Sequence, residues 1–336
     1  MKRRSFPLFL FIICLFAFPQ RSPAPLVYTP GEGWVYEQVG GGKWARTRAK
    51  DQLAVAQEAF DKKDFSLALK ASRRTVKQWP LSDFAPQAQY LVGRCYEAKS
   101  MDEKAFKEYQ ILLEKYPKIG NYDEVLQHQY DIANRFLAGQ RFKLWGYVPF
   151  FPSMDKTSDM YTKIVKNGPF SEVAPKAQMS LGAAREKQKN FPEAVLAYEQ
   201  AADRYNDRKA ISADALFKAA LAYQKQATSS EYNQNVASQA VATYSDFITL
   251  YPEDPRVADS QKSIATLKTE QAKGSFRIAK YYEKHKRFSG ALIYYNEVLL
   301  KDPDSAIATE SRQRIEAIKG QVTPAAPSTA ATGATP

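Results

Sequence analysis

The sequence predicts an all-α protein in which about six helix pairs stack as a superhelical solenoid, and three observations carry that prediction. From about Arg46 to Lys319, stretches rich in Ala, Lys, Glu, Gln and Tyr alternate with short breaks at Pro, Asn, Asp and Gly. No β-branched alternating run of strand length interrupts them. Residues 86–119 set Gly93, Tyr96, Ala105, Tyr109 and Pro117 in one 34-residue frame. The same small-x3-aromatic step recurs at Ala194/Tyr198, Ala240/Tyr244 and Ala291/Tyr295, with Asn206, Pro252 and Pro303 twelve residues after the small member.

This spacing is that of the tetratricopeptide repeat. Small residues let two helices cross closely, the aromatic fills the gap beside them, and the proline stops the second helix. Weaker copies at Ala68/Ser72/Pro80 and Thr157/Tyr161/Pro169 bring the number of repeats to six. First-helix halves are Ala56, Ala133/Phe136, Leu181/Gly182, Ala220/Tyr223 and Ala279/Tyr282. The pair Asn190 and Glu193 forms a capping box, and Asp254 followed by Pro255 predicts an N-cap with proline at the first helical position.

Along the chain, residues 1–24 read as an export signal. Lys2, Arg3 and Arg4 precede an apolar run from Phe6 to Phe18, which is shorter than the roughly 18 residues of a membrane span. Cleavage is expected after Ala24, with Ser22 at the −3 position. Cys14 follows Ile13 rather than a small residue, so ordinary cleavage is expected over acylation. Residues 25–45 form an extended aromatic segment with Trp34, Tyr36 and the run Gly40–Gly42. Repeats 1–4 occupy 46–209, with an aromatic insertion at 142–155. Repeats 5 and 6 occupy 210–319, with a linking helix, Val257 to Ala272, that continues into repeat six as a rod, and a polar capping helix from Ser305 to Lys319. Residues 320–336, mainly Ala, Thr, Pro, Ser and Gly, predict a disordered tail. The mature protein is expected to be elongated and monomeric.

Composition excludes several functions. Two cysteines and two histidines, Cys14, Cys95, His128 and His285, leave no disulfide framework and no metal-ligand pattern, so no metal and no cofactor is expected. Neither histidine has an acid that the sequence alone places beside it, and Gly40–Gly42 lack the Lys-Ser/Thr of a phosphate loop. No enzymatic activity is expected. The 48 basic and 36 acidic residues give a charge of +12 and a pI of 9.4. The cations are dispersed among acids, with no block beyond Arg73 and Arg74, which argues against nucleic acid and for an acidic partner or anionic headgroups.

Binding candidates come from the groove lined by first helices. With Ala56, Gly93 and Ala133 taken as equivalent, Lys50, Leu53, Gln57, Phe60, Tyr90, Arg94, Glu97, Tyr130 and Asn134 face it. Tyr and Arg there suit an extended peptide, although Phe60 and Tyr90 serve equally to pack repeats together. Trp145, Tyr147, Phe150 and Phe151 crowd the insertion, which either meets a partner or folds back onto its own repeat. Arg277, Lys280 and Lys284 recur at helical spacing on the last rod and are candidates for a partner interface.

The stretches Tyr244–Pro252 (YSDFITLYP), Leu267–Ala272, Phe276–Tyr282 and Ala291–Val298 on to Ser305 resemble the BamD family, tetratricopeptide lipoproteins of the outer-membrane β-barrel assembly machinery. In that family an aspartate-bearing insertion after a Phe-Phe pair also interrupts a middle repeat, as Phe150 and Phe151 to Asp155 do here. This chain departs in having an additional repeat around Gly182 to Asn206 and only a short helix at its end. The resemblance implies a periplasmic, membrane-associated scaffold, with later repeats gripping the POTRA domains of the barrel-inserting subunit alongside other assembly proteins, and earlier repeats holding unfolded barrel precursors. A scaffold coordinating peptidoglycan synthesis or polymer export is the alternative.

Overall fold

A helix pair needs a tight reversal between its members, and this chain builds that reversal the same way four times. The first helix ends with one residue in the left-handed region, Lys63 (φ 61°), Ser100 (53°), Lys189 (60°) or Lys286 (58°). Its N–H and the next one donate back to carbonyls of the last turn at 2.8–3.0 Å, as Lys63 does to Phe60 and Asp64 to Ala59. In the third pair Gly139 takes this place, with φ 114°. Second helices open on caps: Asp64, Ser153 and Asn190 each accept from a backbone N–H three residues on.

The computed structural model describes residues 26–29, 31, 33–36, 44–144, 148–229 and 234–321. The expected signal sequence, Gly40–Gly42, Trp145, Tyr147 and the tail from 322 lie outside the described residues. Contacts divide the chain into two compact units, Met1–Ile132 with Trp145–Tyr147, and Ala133–Leu144 with Val148–Pro336. The division falls inside a helix. The helices flanking residue 209 share one of the most extensive helix contacts among the described residues.

The first unit begins with an antiparallel hairpin, β1 (Leu26–Thr29) and β2 (Gly33–Tyr36). Its strands are too short to show an alternating pattern, which is why the segment reads only as extended. The helices are α1 (Ala49–Asp61), α2 (Phe65–Gln78), α3 (Ala85–Ala98), α4 (Asp102–Lys115) and the start of α5 (Tyr122–Leu137). Leu53, Ala56, Ala71, Ala88 and Leu91 form one of its core clusters, with Trp44, Phe60 and Phe84 against it. Leu53 is therefore a core residue and not a groove residue. Facing α2 and α3 is the reason, because one side of α1 must be covered by both.

The second unit holds the hairpin β3 (Phe142–Leu144) and β4 (Val148–Phe151), then α6 (Met154–Asn167), α7 (Ala174–Lys187), α8 (Phe191–Arg204), α9 (Lys209–Ser229), α10 (Gln234–Leu250), α11 (Val257–Lys284), α12 (Phe288–Lys301) and α13 (Ala306–Ile318). The long α11 runs unbroken for 28 residues. Asp254 does not cap it. Its carboxylate accepts the backbone N–H of Arg256 at 3.0 Å and the guanidinium through Nε (2.9 Å) and Nη2 (2.8 Å), and the helix starts at Val257. Arg256 also donates to Asp214 at 2.8 Å and lies over Phe217 at 4.8 Å.

These bonds to Arg256 pull the Asp254 carboxyl down to about 2. A depressed folded-state value means the contribution is complete above the ordinary aspartate pKa of about 3.9 and disappears as pH falls through about 2. The expected result is that Asp254→Asn melts below wild type above about pH 5, and that the gap closes on acidification between about pH 4 and pH 2. A gap that is constant with pH would mean that packing, not charge, holds this corner.

The repeat aromatics share one buried chemistry. Tyr109, Tyr161, Tyr198, Tyr244 and Tyr295 are all fully buried. Each hydroxyl donates to the first helix of its pair: to Glu97 (2.9 Å), Asn134 (2.6 Å), Glu186 (3.1 Å), Gln224 (2.7 Å) and Glu283 (2.6 Å). Repeat one has no such tyrosine. Ser72 holds its place, with its hydroxyl buried and unpaired, and Phe60 stands four residues after Ala56 where the others have an acceptor. A second tyrosine, one residue before the repeat-ending position, reaches back one repeat: Tyr116 donates to Pro80 O at 2.9 Å and Tyr205 to Pro169 O at 3.1 Å.

Candidate binding surfaces

In the first unit, Tyr90 and Arg94 lie one turn apart on α3, and Glu124 and His128 one turn apart on α5, so each pair shares a helix face. The Tyr90 hydroxyl donates to Glu124 Oε1 at 2.5 Å and accepts from Arg94 Nη1 at 2.9 Å. His128 Nδ1 is 3.0 Å from Glu97 Oε2, its Nε2 is 3.9 Å from Glu124, and its ring stacks on Tyr109 at 5.4 Å. The Arg94 guanidinium lies 5.7 Å from the Phe60 ring and 5.6 Å from that of Tyr90. The sequence could not pair His128 with acids because Glu97 comes from another helix. The Glu124/His128 spacing was the one signal present.

Burial, then the bond to Glu124, pushes the Tyr90 hydroxyl up to about 12, and that same bond lowers the Glu124 carboxyl. Tyr90 therefore stays a neutral hydroxyl beside a fixed carboxylate and a cation. Beside it opens a cavity of about 660 Å3, walled by Pro86, Gln87 and Tyr90 from α3 and by Tyr116, Ile119 and Asn121 from the loop after α4. Its polar edge and proline-tyrosine walls suit an extended peptide. Lys50 is exposed on α1 and Tyr130 is half-buried on α5. Asn134 is level with Glu97 rather than Arg94, because the Tyr161 hydroxyl uses it as its acceptor. It serves its own helix pair and not a groove.

In the second unit, Arg277 borders a cavity of about 550 Å3 with Gln234, Gly274, Ile278, Tyr281 and Tyr294. Tyr281 is 61% exposed, and Tyr282 stacks on Tyr294 at 5.5 Å. Lys284 is exposed. Lys280 is not a spare charge: it pairs with Glu310 of α13 at 3.1 Å and lies over Phe276 at 4.9 Å. In the insertion, Phe142 is buried and stacked on Phe136 at 4.1 Å, while Phe151 is exposed with Lys156 Nζ 5.8 Å from its ring. The Phe150 side chain lies outside the described residues, as does Trp145. Among the described residues no group of three or more His, Cys, Asp or Glu could hold a metal ion.

These later helices are also where family membership is decided, since residues 153–331 match the model of the YfiO family, described as outer membrane lipoprotein. The chain belongs to this family. A tetratricopeptide-repeat model matches residues 87–118. Solved structures similar to the chain include the MamA protein, at 13% identity over 61% of this chain and 92% of that one, with a TM-score of 0.35. YrrB, described as a TPR protein with an unusual peptide-binding site, shows 13% identity over 64% and 92%, with a TM-score of 0.34. A tetratricopeptide repeat protein from Parabacteroides merdae shows 12% identity over 79% and 97%, also with a TM-score of 0.34. No curated protein matches the chain. Family and fold together make the chain an all-α tetratricopeptide scaffold for protein–protein interaction, of an envelope lipoprotein family.

Proposed function

We propose that this family member is a non-catalytic periplasmic scaffold of outer-membrane β-barrel assembly, whose later repeats hold the POTRA domains of the barrel-inserting subunit. The observation that carries the reading is the family match over 153–331, which takes in α6 to α13 and with them the Arg277–Lys284 face. The Tyr90–Arg94 groove of the first unit is the companion site for extended segments of unfolded barrel precursors. Residues 1–24 deliver the chain to the periplasm, and no helix among the described residues is long and apolar enough to cross a membrane.

Because Lys280 is engaged by Glu310, the test leaves it alone and reverses its neighbours, Arg277→Glu with Lys284→Glu. Capture of the barrel-inserting subunit from envelope extract is expected to fall about tenfold at low salt and less at high salt, with helicity retained. The reversals Lys62→Glu and Lys63→Glu on the first pair should have little effect. Equal loss from both variants would reveal general charge attraction, and no loss from either would place the contact elsewhere. Recovery of peptidoglycan-synthesis or polymer-export proteins by the wild-type chain, without the barrel-inserting subunit, would move it to the alternative function.

A further inference from the structure

We propose that the cavity between α10, α11 and α12 is a recognition pocket for an acidic loop of a partner protein, taking a carboxylate side chain together with an apolar one beside it. For the identity of that partner the inference rests on the proposed function. Space comes first. Gly274 lies inside the 28-residue α11, where glycine costs about 1 kcal/mol relative to alanine. Gly93 and Gly182 make room for a tyrosine ring that would lie 2.4 Å from a Cβ. At Gly274 the one atom of another element within 4 Å, among the described residues, is Gln234 Nε2 at 3.1 Å. No aromatic fills the gap, which opens into the cavity of about 550 Å3.

Its walls offer donors and apolar surface. Arg277, Gln234 and Asn235 line it with N–H groups, Ile278, Tyr281 and Tyr294 supply the apolar side, and no Asp or Glu is among the described residues that line it. Lys301 donates to the Gln234 side-chain oxygen at 3.0 Å, while the N–H2 of the same carboxamide is buried without an acceptor. This wall therefore carries an unmatched donor.

Charge selects the partner. Lys273, Arg277 and Lys284 stand at helical spacing on α11, Lys286 and Arg287 follow in the turn, and all five are exposed. The acids beside them are already engaged: Glu270 by Lys273 at 2.8 Å, Glu310 by Lys280, Glu297 by Ser275 and Lys301, and Glu283 by Tyr295 and Arg314. With Glu231 counted as well, which lies outside the described residues, cations still outnumber acids here. Such a surface steers a negative group toward the cavity. A bilayer presents a flat layer of headgroups that does not enter a hollow between three helices. A loop with an acid next to an aromatic or aliphatic residue meets both the cationic rim and the tyrosine wall.

The test places the photoreactive residue p-benzoylphenylalanine at position 281 of the full chain, irradiates it in envelope extract and sequences the adducts by mass spectrometry. The expected adduct is with the POTRA domains of the barrel-inserting subunit, at a residue next to an Asp or Glu. Gly274→Leu, which fills the cavity with a good helix former, should lower capture of the subunit about fivefold with the circular dichroism unchanged. Tyr281→Ala removes an exposed ring, so it cannot fail by loss of core, and should lower capture about threefold. Reversing the crosslinked acids to lysine should restore capture by Arg277→Glu. An adduct with a segment that has no acid, an adduct with lipid only, or both variants capturing like wild type would overturn the pocket while leaving the barrel-assembly function standing. A wild-type chain that captures no barrel-inserting subunit would instead sink that function. The adduct then decides the pocket alone: an acidic segment of another envelope protein supports it, and no adduct overturns it.

Discussion

Replacing Tyr198 by alanine is expected to lower stability by about 3–5 kcal/mol, the largest effect of any single truncation considered. The ring is fully buried beside Ala194, Val195, Ala219 and Ala222, small neighbours on α8 and α9 that cannot swing in to fill the space. Its hydroxyl donates to Glu186, which also pairs with Lys225 at 3.0 Å. Tyr198→Phe keeps the packing and loses one bond to a charged acceptor, so about 1–2 kcal/mol is expected, and Lys225 continues to hold Glu186. Urea unfolding followed by circular dichroism, with hydrogen exchange of the α7 and α8 amides, measures both. An alanine variant within about 1 kcal/mol of wild type would show that the repeat aromatic is not what closes the helix pair.

The opposite error, overfilling, is expected at Gly93. A Cβ there would lie 2.4 Å from Tyr109 Cε1 and 2.6 Å from Cδ1, distances no packed atom tolerates. The ring cannot retreat. Its hydroxyl is tied to Glu97 and its face is stacked on His128. Helix propensity alone would make Gly93→Ala stabilising by about 1 kcal/mol, so a net loss would isolate the steric effect. We expect Gly93→Ala to cost about 1–2 kcal/mol and Gly93→Leu about 3 kcal/mol. Gly120→Ala, with nothing within 4 Å and no left-handed backbone, should change stability by less than about 0.5 kcal/mol. Ala220 and Ala279 stand at the corresponding place in repeats five and six, so the spacing of each pair is set by its own small residue. A Gly93→Ala variant more stable than wild type would contradict this.

Function was less legible than fold, and the reason lies in where each residue's partners come from. The helix pairs were readable because their signature residues meet within one repeat: Gly93 faces Tyr109, and Ala291 shares a cluster with Tyr295. The groove was only half readable. Tyr90 and Arg94 stand one turn apart and could be paired by spacing, whereas Leu53, Asn134 and Lys280 each look outward on a helical wheel and are claimed by another helix. The hairpins escaped notice for a different reason, since strands of three or four residues carry too few alternations to register.

By itself, then, the sequence determined the repeating unit: an all-α array, its small-to-aromatic contacts, its stops at proline, and the stretch from Tyr244 to Ser305 by which the family could be suspected. Those features depend on interactions within about one repeat, which periodicity records. Tertiary structure decided which polar groups are spent internally and which remain for a partner. It bound His128 between Glu97 and Glu124, gave Arg256 two aspartates and two phenylalanine rings, and left Tyr281 in the open. Glu97 and Asp214, the partners that complete the first two of these sites, come from other helices, at separations in sequence that no local pattern encodes.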